Sequence, residues 1–113
     1  LPALALYHSA LLVAALATSP VPRTAASVEH GQVLWMQYCE VCHGTDGRGD
    51  GPFAASLPRR PKDLTKIALP PILPDGIVAY RIANGSGVMP AWKSVLNTRD
   101  IWDLVNFIRS KGR

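Results

Sequence analysis

The spacing of proline and glycine leaves this 113-residue chain few places for regular structure. Residues 44–52 read GTDGRGDGP and contain four glycines and one proline, which predicts an irregular loop. Prolines then recur at Pro58, Pro61, Pro70, Pro71 and Pro74. Because proline lacks a backbone donor and clashes with the preceding helical turn, residues 53–74 predict neither a long helix nor a continuous sheet.

Apolar residues recur at helical spacing on both sides of this region. Residues 27–38 place small and apolar side chains on one face, with Ser27 as the predicted N-cap. In the last segment Thr98 is the predicted cap, and basic residues follow near the C-terminal end of the helix dipole. The apolar positions of this segment recur at i, i+3, i+4 and i+7 and are Ile101, Leu104, Val105 and Ile108.

A shorter helix is predicted between these two. It runs from Gly76 to about Ala83, with Asp75 as its cap and Gly85 just beyond its end. No β pattern competes with these segments. The predicted fold class is therefore all-α, with three to four helices.

Short helices of this kind enclose a small core. Domains with so little packed chain usually depend on disulfides, a metal or a large apolar prosthetic group for stability. Cys39 and Cys42 are the only two cysteines, so a framework of several disulfides is excluded. A bound group is the remaining way to enlarge the core.

The cysteines stand in the motif Cys39-Glu40-Val41-Cys42-His43. Two thiols separated by two residues at a helix end can add to the two vinyl groups of a porphyrin, and the next residue then presents its imidazole to the iron. The motif therefore predicts one haem c, bound covalently through Cys39 and Cys42, with His43 as an iron ligand.

Three other interpretations of the motif have less support. A zinc site needs about four nitrogen or sulfur ligands, and outside the motif only His8 and His30 are available. A thioredoxin-like dithiol should follow a strand, and none is predicted. A structural disulfide would leave the adjacent histidine unexplained. A phosphate-binding loop at residues 44–52 is also not predicted, because no Lys-Ser or Lys-Thr follows it.

From Val28 to its end, the chain resembles the class I c-type cytochromes, and specifically their small bacterial members. In that family a glycine and an aromatic residue stand eight and four positions before the first cysteine, as Gly31 and Trp35 do here. The resemblance implies that these two residues pack against Leu104 and Phe107 of the last helix. It also implies a cytochrome c fold around the haem, with Trp35 as part of the cofactor site.

The resemblance also suggests the remaining site residues. Met36 lies on the same helix as the motif, one turn before Cys39, and cannot readily reach the opposite haem face. Met89 follows a glycine-containing loop and is similar to the family's Met-Pro axial motif, so Met89 is the predicted second iron ligand. Similar cytochromes use a proline carbonyl nine to twelve residues after the histidine to orient its imidazole, which implies this role for Pro52.

Residues 1–17 form an apolar run without charged side chains. As a helix the run would reach about 25 Å, somewhat short of a hydrocarbon core, and it closes with a small-residue pattern typical of signal cleavage. It is predicted as an N-terminal membrane anchor, with an export signal as the alternative. Residues 18–27 carry two prolines and are predicted as a flexible tether. The predicted division is therefore 1–27 for this segment and 28–113 for the haem domain.

The charge pattern bears on partners. Twelve Lys and Arg against eight Asp and Glu give a net charge of +4. One basic group consists of Arg59, Arg60, Lys62 and Lys66, and a second consists of Arg109, Lys111 and Arg113. Neither has the interleaved aromatic residues of a nucleic-acid groove, so nucleic-acid binding is not predicted. The alternatives are a docking face for an acidic redox protein and a plain solvated surface.

These features together predict a function. With His43 and Met89 filling both axial positions, neither substrate nor dioxygen finds an open site, so single-electron transfer is predicted and catalysis is not. The expected place is the periplasmic side of a bacterial membrane, with a membrane electron-transport complex as partner. The alternatives are a haem enzyme or gas-binding cytochrome with an open sixth position, and a module in which the motif binds no haem.

Overall fold

The computed structural model describes residues 18–66 and 73–111. Its helices are α1, Ala25–Leu34; a π-helical turn, Trp35–Cys39; α2, Glu40–His43; α3, Asp75–Asn84; and α4, Thr98–Ser110. Short 3₁₀ turns lie at Ala54–Ser56, Leu64–Lys66 and Trp92–Ser94. The described residues contain helices and no strand, which confirms the all-α prediction. The apolar helix predicted for residues 1–17 lies outside them.

The core is built where α1 crosses α4. A Cβ atom added to Gly31 would lie 2.1 Å from the carbonyl oxygen of Asp103 and 2.7 Å from the Cβ atom of Phe107. The two backbones therefore approach each other more closely than any side chain at position 31 allows. The rings of Trp35 and Phe107 lie 5.7 Å apart on one side of this crossing, and Leu104 is fully buried. The expected packing of Gly31 and Trp35 against Phe107 is confirmed, and Leu104 belongs to the same buried core.

The start of α1 differs from the prediction. Its N-cap is Thr24, whose hydroxyl oxygen accepts a hydrogen bond from the Ser27 N–H at 3.1 Å. Ser27 itself is buried, and its hydroxyl donates to the Asp103 carboxylate at 2.5 Å. The prediction of Ser27 as the cap was wrong because this side chain satisfies a group on α4 instead of its own helix end.

The cap of α4 is displaced from the prediction by one residue. Asn97 precedes the helix, and its side chain accepts from the Asp100 N–H at 2.8 Å, while the Asp100 carboxylate accepts from the Asn97 N–H at 3.1 Å. This reciprocal pair satisfies two backbone donors that the helix leaves open, so Asn97 caps α4 and Thr98 is its first residue.

Asp75 is the first residue of α3 and not its cap. Its buried carboxylate accepts from the Arg109 Nε atom at 2.7 Å, and the side chain of Arg109 is 1% exposed. Burial works to raise the pKa of Asp75, but hydrogen bonds from the Ser19 N–H and Arg109, and the charges of Arg109 and Arg23, hold that pKa below its ordinary value. The carboxylate is therefore ionised at neutral pH and joins α3 to α4.

The segment before α1 is attached to the domain. The Ser19 N–H donates to Asp75 at 2.8 Å, and Arg23 forms an ion pair with the same carboxylate at 3.1 Å. The Asn106 side chain donates to the carbonyl of Val21 at 3.0 Å. The prediction of residues 18–27 as a flexible tether was wrong from Ser19 onward, because buried polar groups of α3 and α4 use this segment to complete their hydrogen bonds. Residues 1–17, the predicted anchor, lie outside the description.

No helix within residues 18–66 and 73–111 has the length and apolar character needed to cross a bilayer.

The crossing predicts the effect of a Gly31→Ala substitution. In a free helix this change stabilises by about 1 kcal/mol, because alanine has the higher helix propensity. Here the new methyl group meets the Asp103 carbonyl, so we expect a loss of about 1–3 kcal/mol in the free energy of unfolding. Guanidinium unfolding followed by circular dichroism measures it, with the exposed Gln32→Ala as control. A more stable Gly31→Ala protein would contradict the crossing.

Candidate functional site

The predicted attachment residues come together on one short helical stretch. Cys39 ends the π-helical turn, and Cys42 and His43 lie in α2. No disulfide bond joins the two cysteines; Cys39 is buried and Cys42 is half-buried. Residues three apart share a face of a helix, so the two thiols are positioned to bond to one flat group.

The pKa of Cys39 bears on whether the motif is a haem-attachment site or a thioredoxin-like dithiol. Burial, together with the smaller effect of the Cys42 charge, raises the pKa of Cys39 to about 12. Cys39 is therefore protonated at neutral pH. A thioredoxin-like dithiol needs a cysteine with a lowered pKa, so this environment does not favour that interpretation.

A widened turn separates the core-packing part of α1 from the attachment motif. The Glu40 N–H donates to the Trp35 carbonyl, five residues back, where an α-helix would bond four back. Such π-turns are frequent at functional sites. The spacing of apolar residues predicted an uninterrupted helix here, and it carries no signal for one widened turn.

His43 is oriented by a carbonyl group. Its Nδ1 atom lies 3.3 Å from the carbonyl oxygen of Lys62, and because a carbonyl only accepts, Nδ1 must carry the proton. The lone pair is then on Nε2, the nitrogen left to bind a metal. Burial lowers the pKa of His43, although the bond to Lys62 acts in the opposite direction. The imidazole is neutral at neutral pH, as a metal ligand must be.

The orienting carbonyl was predicted at Pro52, and the structure gives this role to Lys62. Pro52 is exposed, whereas the chain beyond it folds back across the glycine-rich loop of residues 44–52, called the glycine loop below. The Leu64 N–H donates to the Gly47 carbonyl at 2.7 Å, which brings the Lys62 segment beside the imidazole. The prediction of Pro52 was wrong because counting residues along the chain does not reveal this fold-back. No sequence signal marked Lys62 for this role, to which it contributes only its backbone carbonyl.

The glycine loop is hydrogen-bonded to the C-terminal end of α2. The backbone N–H groups of four residues donate to the last carbonyls of the motif, at 2.8 Å to Glu40, 2.8 Å to Val41, 3.0 Å to Cys42 and 2.8 Å to His43. These donors are Gly44, Phe53, Gly51 and Gly49, in the same order. They satisfy the carbonyls that a helix end leaves open. Because the amides face the motif, they are not arranged as a phosphate cradle.

Trp35 connects this site to the core. Its side chain is 2% exposed, and its indole N–H donates to the Gly44 carbonyl at 3.2 Å. Its ring centroid lies 5.8 Å from that of the His43 imidazole. The same residue thus packs on Phe107 of α4 and fixes the segment that carries the predicted iron ligand.

The two methionines occupy different environments. Met89 is half-buried and packs against the core, whereas Met36 is 60% exposed. Met89 closes a tight turn in which it exchanges backbone hydrogen bonds with Ser86, at 2.9 and 3.1 Å. Gly85 and Gly87 in this turn have φ angles of +70° and +58°, which favour glycine.

The residues present fit a haem better than a metal ion alone. Over the described ranges 18–66 and 73–111, no three His, Cys, Asp or Glu side chains are grouped to hold a metal. Two thiols on one face of a helix, next to a neutral imidazole with a free nitrogen, are the donor set that a covalently bound haem requires.

Comparison with known proteins agrees with this chemistry. The family model described as cytochrome c oxidase, cbb3-type, subunit III matches residues 26–108. The cbb3-type cytochrome c oxidase subunit FixPc of Rhizobium leguminosarum bv. viciae is 30% identical over 91 residues, which cover 80% of this chain and 30% of that protein. This chain therefore corresponds to less than a third of that relative's length.

A solved structure is similar as well. The Kuenenia stuttgartiensis reducing HAO-like protein complex Kustc0457/Kustc0458 contains a chain with a TM-score of 0.71 and 25% identity, over 83% of this chain and 47% of that one. The family match covers α1, the attachment motif, α3 and most of α4. The chain thus belongs to the family of the cbb3-type cytochrome c oxidase subunit III, and it is a small c-type cytochrome with a single haem-attachment motif.

Proposed function

We propose that this chain carries single electrons through one haem c bound to Cys39 and Cys42, with His43 and Met89 as the iron ligands. The observation that carries the proposal is the hydrogen bond from His43 Nδ1 to the Lys62 carbonyl, 3.3 Å long, which leaves Nε2 unprotonated beside the two thiols. The bound haem would supply an iron that exchanges one electron between its ferrous and ferric states.

The protein's own contribution is to keep one geometry in both states. His43 is held by the Lys62 carbonyl and by the loop that caps α2, and Trp35 ties that loop to the helix crossing. Met89 is held in its turn by paired hydrogen bonds to Ser86. If His43 and Met89 both bind the iron of the bound haem, they would leave no iron position open to substrate, and electron transfer is then the function that these residues would serve. A thioether ligand favours the ferrous state and raises the potential.

A basic surface lies beside His43 and is proposed to receive the redox partner. Arg60 donates to the Gly49 carbonyl at 3.2 Å and to the Arg48 carbonyl at 3.1 Å, so it is held on the glycine loop. Lys62 supplies the carbonyl that orients His43, and its side chain is exposed. Exposed cations of this kind act mainly on association rate and its dependence on salt. A partner with an acidic face is the expected match.

The family match supports a place in a respiratory oxidase complex. The family model and the matched relative are both described as subunits of a cbb3-type cytochrome c oxidase, which supports the proposal that this chain delivers electrons within or to such a complex. Attachment of haem to a CxxCH motif is expected outside the cytoplasm, so we propose a periplasmic location. The apolar residues 1–17 would then direct export or hold the domain at the membrane.

The first prediction concerns attachment. Thioether bonds survive unfolding, so acid-acetone treatment of denatured protein should leave the haem on the polypeptide. A Cys39→Ala or Cys42→Ala substitution should weaken retention, and the double substitution should abolish it. The measurement is haem absorbance in the protein pellet against the supernatant, with intact mass as a second readout. Release of haem from the unsubstituted protein would refute covalent attachment.

The second prediction separates the methionines. Met89→Ala should remove the long-wavelength sulfur-to-iron absorption band of the oxidised protein and lower its midpoint potential, because the thioether leaves the iron. Met36→Ala is the matched control and should change neither, since Met36 is exposed. Optical titration against redox mediators measures both quantities. A band that persists in Met89→Ala would exclude Met89 as the ligand.

The third prediction concerns the membrane. A protein held by surface charge leaves a membrane in high salt, whereas an embedded apolar helix remains. We expect the full-length chain to stay with bacterial membranes through a high-salt wash and to be released by detergent. Its haem absorbance in each fraction is the measurement. Full-length protein, residues 1–17 included, in the salt-washed soluble fraction would contradict the anchor.

A further inference from the structure

An aromatic contact links the attachment motif, residues 39–43, to the turn that carries Met89, residues 86–89, which is called the methionine turn below. The rings of Tyr38 and Trp92 have centroids 5.1 Å apart and planes inclined at 54°, an arrangement that aromatic pairs favour. Tyr38 directly precedes Cys39, and Trp92 follows Met89 by three positions. Both side chains are half-buried and pack against the core. The contact therefore joins the two segments that carry the haem-bonding residues and the proposed second ligand.

The backbone of Trp92 is firmly held. Its carbonyl accepts from the N–H groups of Val95 and Leu96, at 2.9 and 2.7 Å, and Leu96 is buried in the core. The next residue, Lys93, donates from its Nζ atom to the Asn84 side chain at 3.0 Å, which ties this turn to the end of α3. The Trp92 ring thus reaches Tyr38 from a fixed position.

The position of Met89 depends on Trp92 through a short connection. Only Pro90 and Ala91 separate the two residues, and proline restricts the backbone between them. At the other end of the turn, a Cβ atom on Gly85 would lie 2.3 Å from the Met89 carbonyl, so the chain is closely packed there as well. Met89 is therefore held between a tight glycine contact and the Trp92 anchor.

We propose that Tyr38 and Trp92 are positioning residues for Met89. Their ring contact fixes the methionine turn against the attachment motif and so presents the thioether to the iron without a search among loop conformations. The proposal rests on Met89 being the second ligand. Neither aromatic side chain needs to touch the iron for this role, because each acts through the backbone of its own segment.

Competition with an added ligand tests the proposal. Exogenous imidazole binds ferric iron only when it displaces the thioether, so its apparent affinity reports how firmly the turn holds Met89. Loss of an aromatic pair should tighten imidazole binding between about twofold and about tenfold. We expect this in purified holoprotein carrying Tyr38→Leu or Trp92→Leu, together with a weaker sulfur-to-iron band and a lower midpoint potential.

Matched variants separate positioning from general damage. Tyr38→Phe keeps the aromatic ring and should therefore bind imidazole with the same affinity as the unsubstituted protein. Tyr80→Leu removes an aromatic side chain that is 60% exposed on α3 and should leave the affinity unchanged. The double variant Tyr38→Leu/Trp92→Leu should bind imidazole no more tightly than either single variant, because both remove the same contact.

The outcomes are distinct. Imidazole affinities of Tyr38→Leu and Trp92→Leu equal to that of Tyr80→Leu would overturn the proposal, as would additive effects in the double variant. If Met89→Ala keeps the sulfur-to-iron band, the ligand assignment fails and the positioning role fails with it. If Met89→Ala loses the band while Tyr38→Leu and Trp92→Leu bind imidazole normally, only the positioning role fails. Where one leucine variant does not fold, the other carries the same test from the opposite side of the contact.

Discussion

The close approach of α1 and α4 at Gly31 is the contact on which the rest of the structure depends. Because Gly31 has no side chain, the two helices meet backbone to backbone, and Trp35, one turn later, is placed over Phe107. From there the Trp35 indole donates to Gly44, the first residue after His43. The crossing therefore sets where the attachment motif leaves the core, and through it the orientation of His43.

Buried polar groups fix the same crossing in one register. Asp103 accepts hydrogen bonds from Ser27 at 2.5 Å and from Arg99 at 3.2 Å, and its carboxylate lies 2.7 Å from His30. Burial works to raise the pKa of Asp103, yet these partners hold that pKa below its ordinary value. A buried carboxylate is costly unless fully paired, so a shifted helix that left it unpaired would be much less stable. These groups thus select one arrangement, while apolar contacts supply most of the driving force.

The sequence predicted what depends on local pattern and missed what depends on the folded chain. Helix locations and the attachment motif followed from residue type and spacing, and the contact of Gly31 with α4 was implied by the resemblance to the class I c-type cytochromes. The caps at Ser27 and Asp75 were wrong because both side chains bind groups on α4, distant in sequence. The carbonyl of Lys62 could not be foreseen, since a backbone group leaves no mark in the residue letters. The π-turn likewise alters backbone hydrogen bonding without requiring a particular residue type.

The central proposal is that His43 and Met89 would be the two protein ligands of the iron of a single haem. Proton nuclear magnetic resonance of the reduced protein tests this most directly, because a methyl group held over a porphyrin ring is shifted strongly upfield by the ring current. The account predicts one three-proton resonance far upfield of all other signals, absent from Met89→Ala and present in Met36→Ala. A reduced spectrum without that resonance, or one in which it disappears with Met36→Ala, would contradict it.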